Sequence, residues 1–454
     1  MAVQLHLPAL KDTLGPVVEI LTDPLDPTFI EQARRWTDID REMPAAIVLP
    51  RNEGDCQKIV QWAVRVGIPF VVRSGGHSQW STIGDDGIVI DLTRMAAVQV
   101  DKEAQTATVV GSVLSKQLSV ALAEQGLFTA LGNGNTVGVM GYFLGGGSSI
   151  TNSITGFGSD QILSARLITA KGELIDADEE LLYGIRGAGH FFGLVTQLTI
   201  RAYPLSDLGN DQGLIWSGIF AFPLGQVREV CAAMDIIMND SSHATAGLIM
   251  VMCPPPTRKP TLVISARYTG LPENAATAYR LLYDLNPVIS NGSAVPIQNA
   301  SDAREAMGVK GDFKRFDIVG LHHFNTESFV ETVRLYSDMI DEYPDAINSA
   351  FNFQWAARSP RKPDFESANC LHDIRYWQNN LIWHTDSKNQ ARVGEYSFKT
   401  LSVMRGEETD LVDFVNGTRT EPLERRYRGD ARLTRLRELK EKWDPTGIFT
   451  NQLL

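Results

Sequence analysis

Short apolar runs and one amphipathic segment alternate along the N-terminal part of the chain. Residues 53–66 repeat apolar side chains at helical spacing, and apolar runs at 45–49 and 69–72 flank them as strands. This order predicts a compact β-α-β unit. The pattern therefore favours an α+β fold with glycine-rich loops. Further strands are predicted at residues 88–92, 98–100, 106–110, 165–169 and 195–202.

The pattern changes after Pro204, where longer helical periods begin. Apolar positions recur at helical spacing over residues 224–238 and 273–285. Helices that alternate with strands in this way predict a second domain, residues 206–420, with an antiparallel sheet backed by helices. The strand-like runs of this domain are residues 247–252, 261–266 and 347–354.

Composition excludes several classes of function. The 454 residues carry 42 Lys and Arg against 54 Asp and Glu, a net charge of −12, so nucleic-acid binding is not expected. The four cysteines lie far apart with no C-x-x-C pair, which predicts buried thiols and no metal site or disulfide framework. The N-terminus shows no secretion signal, and we therefore expect a cytoplasmic protein.

One long segment contains no charged residue. Residues 125–159 lack Asp, Glu, Lys and Arg and are dense in glycine. A membrane span is excluded because the glycines and asparagines would expose too much polar backbone and amide to lipid. Such a segment more plausibly brings backbone N–H groups close to a large, flat or anionic ligand, although glycine also serves ordinary tight turns.

A histidine follows a Gly-Gly turn at the end of a predicted strand. In Arg73-Ser74-Gly75-Gly76-His77-Ser78, the glycines expose consecutive N–H groups, the arginine adds a charge and the serines add hydroxyls. Such a turn could hold a pyrophosphate. The imidazole could serve as a base, a metal ligand or a nucleophile towards an electrophilic cofactor, or be purely structural. Metal binding is the weakest of these because no partner ligand lies at suitable spacing.

Three motifs in order, with a fourth at the C-terminus, resemble one family. They are R-S-G-G-H-S at 73–78, T-V-G-V-M-G-Y-F-L-G-G-G at 136–147, I-R-G-A-G-H-F-F-G-L-V-T at 185–196 and the C-terminal E-L-K-E-K-W-D-P-T-G-I-F. Together they resemble the berberine bridge enzyme-like flavin oxidases of the vanillyl-alcohol oxidase superfamily. The resemblance covers nearly the whole chain and is weakest in the middle domain.

The resemblance implies a PCMH-type FAD-binding domain made of residues 1–205, to which the C-terminal segment 421–454 returns, and a substrate domain of residues 206–420. It also implies FAD bonded through its 8α-methyl group to His77. The residues expected to bind the cofactor are Arg73, Ser74, Gly75, Gly76, His77, Ser78, Gly132, Gly134, Thr136, Val137, Gly138, Gly141, Tyr142, Gly145, Gly146, Asp160, Leu194 and Val195.

Departures from the family pattern refine these expectations. Gly134 stands where many relatives carry a second, cysteinyl link, so we predict a single covalent bond, resembling the hydroxynicotine-oxidase type. Val137 occupies the position where a small aliphatic side chain lets oxygen reach the flavin in the family, which favours an oxidase. Tyr183, Phe191 and Arg432 replace residues that are usual in the family.

The substrate site is expected on the sheet of the middle domain. Candidate groups lie in residues 375–387, and strand alternation would send His384 and Asp386 to one face. We take His384 as the candidate general base, with a structural histidine as the alternative. Tyr142 is the second candidate catalytic residue, unless it only packs under the ring. Other polar candidates are Tyr376, His322, His323 and Asn325.

The predicted function is an FAD-dependent oxidase. It would remove a hydride from a C–H next to O or N of a small secondary metabolite, oxidising an alcohol or amine or closing a ring, and O₂ would be reduced to H₂O₂. A sugar oxidase is the alternative within this class. The alternatives from other classes are a cyclase that keeps the flavin fold without net redox and a binding protein without activity. Expected partners are the small-molecule substrate and O₂, with no nucleic acid or membrane.

Overall fold

A computed structural model describes residues 2–417 and 422–450 of the protein. The chain begins with a four-stranded sheet in the order β1-β2-β4-β3. The helix predicted at residues 53–66 is confirmed, with Asn52 capping its start and Gly67 ending it in the left-handed conformation (φ 69°). The elements are α1 Ala2–Leu14, β1 Glu19–Leu21, α2 Pro27–Ala33, β2 Ala46–Leu49, α3 Glu53–Val66, β3 Phe70–Arg73 and β4 Ile88–Asp91.

The predicted β-α-β unit is present, and its two strands run parallel. They do not pair directly with each other, however. Strands β2 and β3 run parallel, and both pair with β4, which lies between them. The register places Arg73 opposite Asp91. Because β4 follows in the chain, its place between the two earlier strands is a tertiary feature that the local pattern does not contain.

A second sheet completes the N-terminal domain. Its five strands are ordered β5-β6-β10-β8-β9, and a small two-stranded sheet pairs β7 with β11. The elements are β5 Ala97–Asp101, β6 Thr106–Val110, α4 Ser115–Ala123, β7 Leu127–Phe128, α5 Val139–Leu144, α6 Asn152–Thr155, β8 Ile162–Ile168, β9 Leu174–Asp176, α7 Glu179–Ala188, β10 Leu194–Arg201 and β11 Tyr203–Pro204.

The second domain confirms the antiparallel sheet backed by helices. Its eight strands are ordered β15-β12-β14-β13-β17-β18-β16-β19. The helix predicted over residues 273–285 is instead divided into short pieces. The elements are β12 Leu214–Phe222, α8 Val227–Asn239, β13 Thr245–Met252, β14 Thr261–Thr269, α9 Ala275–Ala278, α10 Arg280–Asp284, β15 Ile289–Pro296, β16 Phe313–Leu321, α11 Thr326–Glu342, β17 Ala350–Ala356, β18 Tyr376–His384, α12 Gln390–Arg405 and β19 Val412–Asp413.

The large sheet has two different faces. Helices α8, α11 and α12 pack on one face, where apolar side chains such as Ile249 and Phe353 form the domain core. Since side chains alternate along a strand, the neighbouring positions of each strand point to the other face, towards the N-terminal domain. That second face forms one wall of the cavity described below.

The last described helix, α13 Asp430–Trp443, contacts α7 of the N-terminal domain. Its buried leucines Leu433, Leu436 and Leu439 belong to the same apolar cluster as residues of α7. The predicted boundary at residues 420 and 421 lies outside the described residues. No helix among the described residues combines the length and apolar character needed to cross a membrane.

Candidate cofactor and substrate site

A cavity of about 980 Å³ lies between the two domains. One wall is the turn at residues 74–78, a second is the glycine-rich segment 132–142, and a third is the free face of the large sheet. Fourteen of the predicted site residues line it. They are Ser74, Gly75, Gly76, His77, Ser78, Gly132, Gly134, Thr136, Val137, Gly138, Gly141, Tyr142, Leu194 and Val195.

The turn after β3 presents bare backbone N–H groups to this cavity. In the described part of the chain, the N–H groups of residues 75–78 donate to no protein acceptor. Gly76 has a left-handed φ of 68°, which lets successive N–H groups converge. The hydroxyl of Ser74 is buried and has no partner among the described residues. These donors fit an anion such as the pyrophosphate of FAD.

Two backbone segments approach closely beside this turn. A Cβ on Gly75 would lie 2.5 Å from the backbone N of Gly138 and 2.9 Å from the carbonyl O of Thr136. Only glycine permits this contact, because any side chain would meet rigid backbone. The close approach joins the anion-binding turn to the glycine-rich segment.

Arg73 is predicted to bind the cofactor, but the structure does not place its side chain in the cavity. Its Nε donates to Asp91 Oδ2 at 2.7 Å, and both side chains are almost fully buried. Its Nη2 donates to the carbonyl O of Gln32. Because the parallel register of β3 and β4 places an aspartate beside it, the charge of Arg73 is neutralised inside the protein and supports the turn from behind.

His77 is held on both sides. Its ring stacks on Trp36, with centroids 5.4 Å apart, and its Nε2 lies 2.8 Å from Thr136 Oγ1. Burial, followed by the positive charge of Lys314, lowers the pKa of His77 to about 4. The imidazole is therefore neutral at physiological pH, the state in which a ring nitrogen keeps a lone pair for bond formation.

Tyr142 lines the cavity from the glycine-rich segment. Its hydroxyl donates to the carbonyl O of Ser148 at 2.7 Å, and a Cβ on Gly132 would lie 2.7 Å from the same hydroxyl. Burial raises the pKa of Tyr142 well above its usual range. The phenol therefore stays protonated at neutral pH and can offer an acceptor lone pair to a ligand.

Gly145 and Gly146 do not line the cavity, because they pack against Asn416. A Cβ on Gly145 would lie 2.6 Å from Asn416 Nδ2. Asn416 accepts a hydrogen bond from Gly147 N at 3.1 Å and donates to the carbonyl O of Tyr142 at 3.1 Å. Sequence analysis missed Asn416, whose role depends on contact with residues far away in the chain.

Asp160 also lies outside the cavity. Its carboxylate accepts the N–H of Phe157 at 2.8 Å and lies 2.9 Å from His372 Nε2. Asp160 therefore connects the loop of residues 156–160 to the second domain and does not contact the cavity. Tyr183, Phe191 and Arg432, the three departures from the family pattern, do not line the cavity either.

His384 lies on the opposite face of the sheet from the cavity. It is fully buried, stacks on Phe313 and has its Nδ1 2.9 Å from the carbonyl O of Asp386. On the same face, Asn380 donates to Ser397 of α12 at 3.1 Å. Side chains of β18 alternate between the two faces as predicted, but the face that carries His384 packs against helices. The structure thus gives His384 a structural environment and no access to a ligand in the cavity.

The other polar candidates are also remote from the cavity. Tyr376 bonds to Asn239 of α8, and Asn325 caps α11 by accepting from Ser328 N. His322 and His323 lie in a separate surface depression. Asp386 caps the turn after β18 through Lys388 N. None of these groups is among the described residues that line the cavity.

The odd-numbered positions of β18 face the cavity instead. Trp377 and Asn379 line it, together with Asn352 and Gln354 of the adjacent β17. In the register, Asn379 pairs with Asn352 and Trp377 pairs with Gln354. Alternation in the sequence was the available signal, but it could not tell which face would be free. Other lining residues that sequence analysis missed include Leu248, Arg304, Phe316 and Ile318.

The chain is similar to known flavoproteins. Residues 44–178 match the FAD binding domain family. The FAD-linked oxidoreductase hasG of Aspergillus fumigatus is 29% identical, and the match covers 93% of this chain and 94% of the relative. BBE-like 1 of Physcomitrella patens has a TM-score of 0.83 at 19% identity, covering 98% of both chains. The 6-hydroxy-D-nicotine oxidase of Arthrobacter nicotinovorans has a TM-score of 0.80 at 20% identity, covering 96% of this chain and 97% of that one.

These findings confirm the resemblance that the motifs indicated. The chain contains an FAD binding domain and has the berberine bridge enzyme-like PCMH fold. The protein is an enzyme of the FAD-linked oxidoreductase class.

Proposed function

We propose that the protein is an oxidase that binds FAD through a single covalent bond to His77 and oxidises a small secondary metabolite with O₂. The observation that carries this proposal is the arrangement around His77. A neutral imidazole stands between a turn of bare N–H groups and the polar free face of the substrate domain. Bound FAD would supply the two-electron redox chemistry that no side chain can supply.

Different residues along the cavity would bind different parts of the cofactor. The N–H groups of residues 75–78 offer hydrogen bonds to the pyrophosphate, while the Trp36 ring and Thr136 fix the imidazole of His77. A side chain at Gly132, Gly134 or Gly138 would meet protein atoms, so these glycines let this wall of the cavity pack closely. Tyr142 lines this wall and offers its hydroxyl oxygen as an acceptor, and it is the candidate catalytic residue that we retain.

A single link is consistent with the packing at Gly134. A Cβ at this position would lie 2.8 Å from Val137 Cγ2, so a cysteine there would have to displace that valine. Formation of the His77 bond would remove one hydrogen from the imidazole N–H and one from a methyl C–H of the cofactor. Dioxygen would accept both hydrogens with the two electrons and leave as hydrogen peroxide.

The reaction proposed for the substrate has the same balance. The carbon next to O or N gives up a hydride, the adjacent O–H or N–H gives up a proton, and a C=O or C=N bond forms. Dioxygen receives the two electrons and two protons as hydrogen peroxide. Val137 lines the cavity, and the family resemblance implies that a small aliphatic side chain at this position lets oxygen reach the flavin.

The covalent bond is tested by denaturing the purified protein in acid and examining the protein band and its peptides for flavin fluorescence. We expect fluorescence on the peptide that contains His77 and none after His77→Ala. His190→Ala is the matched control, since His190 also lines the cavity and its loss should leave the bond intact. Covalent flavin that survives in His77→Ala refutes the attachment site.

Oxidase activity is tested with an oxygen electrode and a panel of alcohols, amines and oligosaccharides. We expect oxygen uptake and equimolar hydrogen peroxide with an alcohol or amine. Uptake with oligosaccharides alone would support the sugar-oxidase alternative. Conversion of a substrate without oxygen uptake, to a product of unchanged oxidation level, would refute the oxidase and support a cyclase.

A further inference from the structure

Arg304 brings an unpaired positive charge into the cavity. It is the one arginine or lysine among the described residues that line the cavity. Its Nη2 donates to Ser265 Oγ at 3.0 Å, and no carboxylate of the described residues forms an ion pair with it. A guanidinium has five N–H donors in a rigid fork, so most of its donors remain available to a ligand.

A second arginine lies behind it without a carboxylate partner. Arg267 is buried, and its guanidinium donates to Asn133 Oδ1 and, at 3.1 Å, to the carbonyl O of Ala300. Burial, followed by the charge of Arg304, lowers the pKa of Arg267. Burial also lowers the pKa of Arg304 to about 10, and no nearby carboxylate of the described residues raises this pKa again. A guanidinium keeps its charge in proteins, and a buried cation beside a half-buried one, neither with a carboxylate partner in the described part of the chain, favours an anion between them.

We propose that Arg304, reinforced by the charge of Arg267, binds a carboxylate of the substrate in this cavity. A planar carboxylate matches the fork of a guanidinium and can accept two parallel hydrogen bonds. This inference rests on the proposed function, because it assigns a chemical class to the substrate of that same site.

The segment that carries Arg304 also packs against the residues around His77. Gly308, four residues on, packs against Thr136, since a Cβ there would lie 2.8 Å from Thr136 Oγ1. The carbonyl O of Met307 accepts the indole N–H of Trp36 at 2.7 Å. Thr136 and Trp36 are the two residues that hold His77. The segment that carries Arg304 is therefore tied to the two residues that hold His77.

The sheet then provides contacts for the rest of the substrate. Ser265, which anchors Arg304, is in register with Leu248, which is in register with Gln354. On the next row, the Oδ1 atoms of Asn352 and Asn379 are buried without a hydrogen-bond partner among the described residues. These amides suit hydroxyl or amine groups. The substrate class that fits is a small carboxylic acid with a hydroxyl or amine at the oxidised carbon.

The test measures binding, not turnover. FAD-loaded protein is titrated by calorimetry with benzoate, phenylacetate and 4-hydroxycinnamate, each beside its uncharged amide. We expect the carboxylates to bind more tightly than the amides. Arg304→Gln should weaken carboxylate binding by about 10- to 100-fold, which is the value of a charged hydrogen bond. It should leave the dissociation constants of the amides unchanged.

Two controls separate the possible outcomes. Arg280→Gln removes an exposed arginine and should change nothing, and Arg304→Lys should restore part of the carboxylate binding. Flavin absorbance per protein is measured for every variant. Equal affinities for acids and amides, no binding of any acid, or an equal loss for both classes in Arg304→Gln overturns the inference while leaving the oxidase proposal intact. Loss of flavin in Arg304→Gln also overturns it, because the arginine would then serve the cofactor.

Discussion

The contact between Gly75 and Gly138 gives the most direct test of how the site is built. Gly75→Ala would place a Cβ 2.5 Å from the backbone N of Gly138, whereas ordinary contacts begin at 3.4 Å, so the two segments must separate by about 0.9 Å. The neighbours are backbone atoms, which cannot rotate away. Overpacking of this kind costs about 1–3 kcal/mol, or a fall in Tm of roughly 2–12 °C for a domain of this size.

Separation of the two segments should also change the arrangement of the bare N–H groups of residues 75–78 and reduce the flavin content. The assay is urea and thermal unfolding with the flavin-to-protein absorbance ratio of the same samples. Gly225→Ala is the matched control, because no atom lies within 4 Å of a Cβ at that position. A Gly75→Ala protein with the stability and flavin content of the unaltered protein would refute the account of this close approach.

Three further predictions concern polar groups that are buried or half-buried. Asp91→Asn leaves the buried Arg73 without a charged partner and should lower the free energy of unfolding by about 3–5 kcal/mol in urea titrations. The double variant Arg73→Met/Asp91→Leu removes both charges and should recover much of that lost stability. Asn416→Ala removes bonds to Tyr142 and Gly147 and should cost about 1–3 kcal/mol by the same assay, and an unchanged midpoint would contradict it. Burial lowers the pKa of His384, so the unfolded chain binds the proton first and stability falls as pH drops below 6.5. His384→Gln should flatten that pH dependence while leaving the KM for substrate unchanged.

Local sequence determined the elements and the cofactor turn. Helix α3 carries its own cap at Asn52 and its own stop at Gly67, so its limits follow from nearby residues. The turn at 74–78 likewise follows from its glycines, and His77, which is predicted to bind the cofactor, lines the cavity. The order of the motifs was sufficient to indicate the flavin fold.

Pairing between distant segments decided the rest. The register of β3 against β4 turns Arg73 to Asp91 instead of the cavity, and the helices on one face of the large sheet enclose His384 and leave Asn379 free. Arg304 and Asn416 reach the site from segments that show no motif. A strand's sequence specifies that its side chains alternate, because that is a property of the backbone. Which of its two faces is open depends on what packs against it, and only the tertiary structure decides that.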